Sequence, residues 1–459
     1  MTEIRVTRRS FLVMASATTG AVLAACAPMP APAPAPKEEA APKAEEKAPA
    51  PKAQGTVLMQ ITQKQDVSEW IAQNLDEFHE AHPDLKVEIE AIPGWTGGYF
   101  PKILAKAAAN LLGDVCWYPG RHGSHLRWAY IKMVRSLNEF ADAEGYDWNQ
   151  FFEGALLANR WEGKQWWMSY ISEPVQPVLA INESLAEERG APAIDPEWNW
   201  DDFIGNWATK VALEEGGRPK YFGYRRGCGD AFGCGNILRS YGAELTDPEG
   251  KKCLFDANDG LKQWLQFRQD VIHKFKVSPS PAAGDYNANE EFLAGRLGSL
   301  GIWPWFIQIW PEQVGDKFKV GFVEKPKGPT GKRRTMLNEH TLGIFFKAPN
   351  PQGAWEVLKW ACGEDMCVRR VLEGMGGPNA QKRSWNDPEI IARHPTYKLI
   401  AEIMEIVEPD WRCANFRGED VGLPVSQYHS AVEANEMTAE EAAAKITEGV
   451  NKALNLPIA

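Results

Sequence analysis

Val57-Leu58-Met59-Gln60-Ile61 is an apolar run of strand length, and the residues that follow it decide the fold. Ile71, Leu75 and Phe78 recur at i, i+4 and i+7, one stripe of a helix. Pro83 stops that helix, having no amide hydrogen to continue its ladder. Val87, Ile89 and Ala91 then alternate with Lys86, Glu88 and Glu90, the period of a half-buried strand. Strand, helix and strand predict a βαβ unit with parallel strands. A second helical stretch from Ile103 to Leu112 leads to a third strand at Asp114-Val115-Cys116-Trp117, so the class is α/β. Ligands of open parallel sheets collect beyond the carboxyl ends of the strands. The segments there read Thr62-Gln63-Lys64-Gln65-Asp66, Pro93-Gly94-Trp95-Thr96 and Trp117-Tyr118-Pro119-Gly120-Arg121-His122, all rich in polar or aromatic side chains.

The chain has 459 residues, room for two or three domains, and its formal net charge of −11 argues against nucleic acid as a partner. Its 19 Trp suit both core packing and stacking on a ligand face, and composition leaves the two uses open.

Thr7-Arg8-Arg9-Ser10-Phe11-Leu12 has the form of a twin-arginine export signal, and the apolar stretch from Phe11 to Ala25 is too short to span a bilayer. Leu23-Ala24-Ala25-Cys26 resembles a bacterial lipobox, which makes residues 1–25 a signal peptide and Cys26 the lipidation site. Residues 26–54 are then a tether of Ala, Pro, Lys and Glu, extended and too polar to fold. The expected location is the outer face of the cell membrane, with the body held there by the lipid.

Seven cysteines follow Cys26, an odd number for an oxidising compartment. Cys228 and Cys234 enclose the Gly-rich stretch Gly229 to Gly233 and are the candidate disulfide. His79 with His82, and His122 with His125, stand at i, i+3 rather than in His-Glu-x-x-His, so no metal site is expected, and no cofactor.

Several segments resemble the family 1 extracellular solute-binding proteins of ABC importers, the sugar-type group that includes the maltose-binding proteins. They are Tyr99 to Leu104 with Gly113-Asp114-Val115, Leu137 to Phe140, Trp161 to Trp167, Ala180 to Leu185, Trp200 to Phe203, Glu291 to Trp303, and Thr438 to Ala442. Ile181 stands where the family has Tyr. The resemblance covers residues 55–456 and implies a two-lobed periplasmic-binding-protein-like fold of type II. Each lobe would hold a mixed, mainly parallel sheet flanked by helices, and hinge strands would join the two. Residues 55–168 with about 316–362 would form lobe 1, and 169–315 with about 363–459 lobe 2. A monomer is expected to close over a small ligand, a sugar or oligosaccharide, and hand it to the permease subunits, with no catalytic residues of its own.

Sugar sites combine aromatic platforms with planar polar side chains. The candidate platforms are Trp303 and Trp305 from one lobe, and Trp95 with Trp117 or Tyr118 from the other. Neighbouring Trp117 and Tyr118 point to opposite sides of a strand. Gln63, Gln65 and Arg121 are the candidate polar grips of the first lobe, and Glu173 and Gln176 those of the second. Glu339 and His340, expected just before an apolar strand at 341–346, join them, as do Asn379 in a tight turn and Tyr428. The rival from another class is a secreted carbohydrate-active enzyme, since carboxylates and Trp also line glycosidase clefts. A third reading keeps the importer and changes the ligand to a peptide, polyamine or phosphodiester.

Overall fold

A computed structural model describes residues 53–120, 124–225, 231–280, 287–411 and 416–456. Cys26, Arg121, Cys228 and the signal and tether segments lie outside the described residues, and so does the side chain of Cys234.

Eight strands form the two main sheets. β1 (Gly55–Thr62), β2 (Leu85–Ile92), β3 (Val115–Gly120), β4 (Met168–Pro174) and β8 (Leu337–Ile344) make a five-stranded sheet in the order β2-β1-β3-β8-β4. β1 runs parallel to β2 and β3, and β8 runs antiparallel to β3 and β4. β5 (Val178–Asn182), β6 (Ser299–Ile302) and β7 (Val320–Glu324) form a second, three-stranded sheet in the order β6-β5-β7. Its ladders are antiparallel, with parallel bridges at Phe222–Leu297 and Arg225–Leu300 beside them.

The periodicity at 55–92 yields the expected βαβ start. β3 is buried along its whole length, as a strand covered on both faces must be, whereas edge strand β2 alternates and carries its charges outward. The helix expected from Ile103 begins earlier, at Thr96, and ends at Ala108. The helix starts at Trp200 and Thr438 carry full capping boxes. In the second, Thr438 and Glu441 satisfy each other's backbone amides, which would otherwise be orphaned.

The buried core falls into two clusters. Val57, Met59, Ile61, Trp117, Ile344, Trp355 and Leu358 belong to the first, and Leu179, Ile181, Trp207, Trp264, Leu265, Val425 and Ile446 to the second. β5 feeds both: Val178 and Ala180 face the first cluster, and Leu179 and Ile181 the second, as period-two alternation requires.

The chain passes between the lobes at Val175, Met336 and Glu408, and these passages are hydrogen-bonded to one another. Val175 N donates to Met336 O (2.8 Å), Leu337 N to Glu408 O (2.8 Å), and Glu408 N to Thr335 O (3.1 Å). The boundaries therefore differ from those the resemblance implies. β4 belongs to the large sheet, β7 pairs with β5, and Val371, Trp385, Ile390 and Tyr397 of the 364–405 helices join the first core. Four residues at this hinge form a charged knot. Arg334 grips the Glu408 carboxylate through two nitrogens (2.6 and 3.0 Å) and also pairs with Glu244, and Arg239 reaches Glu244 (3.1 Å) and Glu408 (3.3 Å).

Candidate functional site

A cavity of about 860 Å³ lies where the two sheets face each other. From the first lobe come Lys64, Gln65 and Asp66 after β1, Trp95 after β2, Ile171 and Glu173 on β4, Asn338 and His340 on β8, and Gly374 to Gly377. From the second come Gln176, Arg225, Ala288, Asn289, Leu300, Gly301, Trp303, Trp305 and Phe306. The placement follows from topology, since strand ends of the first lobe open onto the seam where the chain crosses.

Aromatic rings stand on both walls. Trp95 rests on Trp117 (centroids 4.8 Å apart) and against His340 (5.1 Å), and the Lys64 ammonium sits 4.3 Å from its centroid. Opposite, Trp305 stacks on Phe306 at 3.9 Å, and Trp303 lies half-buried at the seam of the two cores. Gly94, at φ +95°, makes the turn before Trp95; a Cβ there would meet Gly98 Cα at 2.8 Å. Gln176 sits in the same left-handed region at φ 44°, unusual for a residue with a side chain, at the first crossing between lobes.

The polar wall is dominated by Glu173. The residue is 5% exposed, its neighbour across the ladder is Asn338, and its Oε2 has no hydrogen-bond donor among the described residues. Burial pushes it up to about 8. The Asn338 hydrogen bond pulls the other way, Asp66 adds to the rise, and the charges of Lys64 and Arg370 pull it back. Gly377 closes over it so tightly that a Cβ would stand 3.0 Å from Oε2. Lys64 and Asp66 pair at 3.0 Å. On the far side Gln308 spans the lobes, its Nε2 donating to Gly376 O at 3.3 Å and to the Tyr397 hydroxyl.

Of the residues singled out by sequence, the structure brings Gln65, Trp95, Glu173, Gln176, Trp303, Trp305 and His340 to this cavity. Six others do not line it. Gln63 is exposed at the end of β1. Trp117 is fully buried and supports Trp95 from beneath, while Tyr118 points to the other face of β3, against Phe100 (4.5 Å) and Trp128 (5.0 Å). Glu339 lies within β8 rather than before it, so alternation turns it away from Asn338 and His340 onto Ser172 (3.2 Å), Asn159 (2.5 Å) and Ser169. Asn379 spends its polar groups inside the fold: Nδ2 donates to Cys362 O (2.6 Å), and Oδ1 accepts from Gln381 N and Ser384 Oγ (both 3.0 Å). Tyr428 packs on the second core under Lys445.

Sequence reasoning did not single out Lys64, Asp66, Arg225, Asn289, Asn338 or Met375. Lys64 and Asp66 lie in the segment after the first strand, where the strand-end rule is the signal; for the rest no local pattern marks them.

Two lobes joined by hydrogen-bonded crossings, with a polar and aromatic cavity between them, define a hinged ligand-binding protein. Residues 62–366 match the family described as bacterial extracellular solute-binding protein, and the chain belongs to that family. It is similar to a probable ABC transporter-binding protein of Deinococcus radiodurans, 23% identical over 63% of this chain and 66% of that one. An erythritol/L-threitol-binding protein of Mycolicibacterium smegmatis is 22% identical over 65% of each chain. The chain thus spans just under two thirds of the length of these relatives. Among solved structures, the cycloalternan complex of an ABC substrate-binding protein from Listeria monocytogenes aligns over 88% of this chain and all of that one, with TM-score 0.72 and 15% identity. The maltose-bound MalE3 of T. maritima aligns over 86% and 99%, with TM-score 0.70 and 22% identity. These likenesses establish the two-lobed fold.

Proposed function

We propose that this protein captures a carbohydrate between its lobes, outside the cell, and delivers it to the permease of an ABC importer without chemically changing it. The observation that carries this reading is the pairing of ring faces on opposite walls, Trp95 on one and Trp303 with Trp305 on the other, around buried polar groups. Sugars present apolar C–H faces between rims of hydroxyls, and flat rings with planar polar arms fit that surface. The relatives named above that bind maltose, cycloalternan and erythritol support the class of ligand. Cys26 is the proposed lipid attachment point, and the Ala/Pro/Lys/Glu tether gives the body its reach from the membrane. Among the described residues no helix is long and apolar enough to cross a bilayer.

Thermal-shift screening against mono- and oligosaccharides, peptides and polyamines tests this. A ligand bound to the folded state raises the melting temperature by mass action. Carbohydrates are expected to raise it and to be recovered unchanged. A shift by peptides or polyamines alone removes the sugar, and sustained product release removes the binder.

A further inference from the structure

The protein is acidic overall, but the polar end of its cavity is not. Lys64 and Asp66 neutralise each other at 3.0 Å. Behind the cavity wall lies Arg370, fully buried, with its guanidinium carbon 4.2 Å from the centroid of the Tyr170 ring. Only one of its nitrogens is used: Nη2 donates to Tyr170 O (2.6 Å) and Gly377 O (3.0 Å). Nε and Nη1 have no acceptor, and no carboxylate stands within ion-pair distance of Arg370 among the described residues. A lone buried guanidinium is costly unless something compensates its charge.

Gly376 and Gly377 line the cavity and also border Arg370: a Cβ on Gly376 would stand 4.0 Å from its Nε, and Gly376, at φ +132°, holds a conformation side chains rarely adopt. Two acids line this end: Asp66, already paired with Lys64, and Glu173, whose Oε2 is buried without a donor among the described residues. A carboxyl so placed is held neutral by burial, and a neutral carboxyl donates a hydrogen bond. The cavity therefore offers a positive field and an acid proton side by side. Both features call for an anionic acceptor.

We propose that the carbohydrate is a sugar acid, whose carboxylate accepts the Glu173 proton in a hydrogen bond and supplies the charge that Arg370 lacks, while its ring lies on Trp95 or Trp303. This rests on the carbohydrate reading above and narrows it. A neutral sugar would leave Arg370 uncompensated, and a cationic ligand would oppose its field.

Matched pairs titrated calorimetrically into the unaltered protein test the proposal: galacturonate against galactose, glucuronate against glucose, and oligogalacturonides against maltodextrins of equal length. The acidic member of at least one pair is expected to bind tenfold or more tightly than its neutral partner. Glu173→Gln keeps a neutral donor and should retain that preference, whereas Glu173→Asp, which withdraws the carboxyl, should reduce it. Equal or tighter binding of the neutral members overturns the sugar-acid assignment and leaves the carbohydrate reading standing. Binding of polyamines or peptides with no sugar of either kind overturns both.

Discussion

Replacing Glu173 with glutamine should change the pH dependence of folding stability in a direction fixed by the burial of that carboxyl. The unfolded chain ionises Glu173 near the ordinary glutamate value, whereas the folded protein holds the proton up to about 8. Between those limits the folded state binds more protons than the unfolded one, so stability falls as pH rises. Below about 4.5 both states are protonated and the effect vanishes; above about 8 both are ionised and it levels off. Each pH unit traversed is worth about 1.4 kcal/mol, which sets a ceiling of about 5 kcal/mol. Water admitted to the cavity lowers this, and about 2 kcal/mol is the working expectation. Glutamine has nearly the same shape and no charge, so the stability difference, variant minus parent, should grow in the variant's favour by about that amount from pH 5 to pH 9. Urea denaturation of the ligand-free protein across that range reads it directly, and any constant offset from the altered hydrogen bond to Asn338 cancels. A difference that stays flat across the range refutes the argument that burial governs this carboxyl.

Three further outcomes are expected. Trp303→Ala should weaken carbohydrate binding about tenfold, the worth of a ring contact plus its apolar area, as read by calorimetry; unchanged affinity with lowered stability would return Trp303 to the core. Asn379→Ala leaves the Gln381 amide and the Ser384 hydroxyl without their buried acceptor and should cost about 2 to 4 kcal/mol of stability. A variant as stable as the parent that no longer binds would make Asn379 a ligand contact after all. Glu408→Gln loosens the knot with Arg334 and Arg239 and should destabilise the protein by about 1 to 2 kcal/mol in low salt. That loss should shrink in 1 M salt because the knot is partly exposed, and a salt-independent loss would argue against a charge origin.

Local patterns carried much of the fold into the sequence. The apolar run at 57–61, the alternation at 86–91 and the polar starts of the Trp200 and Thr438 helices depend on neighbours in the chain, and each appears where the pattern places it. The site was legible where a strand end met an aromatic or amide residue, as at Gln65 and Trp95. It was illegible where the phase of a strand decides. Asn338-Glu339-His340 looks like a polar loop, yet it lies inside β8, so two of its side chains face the cavity and the third is buried behind them. Arg370 follows Arg369 in a helix with the marks of a solvated face, and only tertiary packing puts it under the Gly376–Gly377 backbone. The lobe boundaries failed for the same reason, because sheet membership of 320–324 is settled by partners more than 130 residues away in sequence.

The proposed function requires two rigid halves to shut over a carbohydrate that both of them touch. Small-angle X-ray scattering of one sample, recorded before and after saturation with a sugar whose binding calorimetry has established, tests this most directly. The radius of gyration should fall on saturation, and the fall should be lost when Trp95 and Trp303, one from each wall, are both changed to Ala. A saturated protein whose profile matches that of the free protein, or one that contracts equally in the double variant, would contradict it.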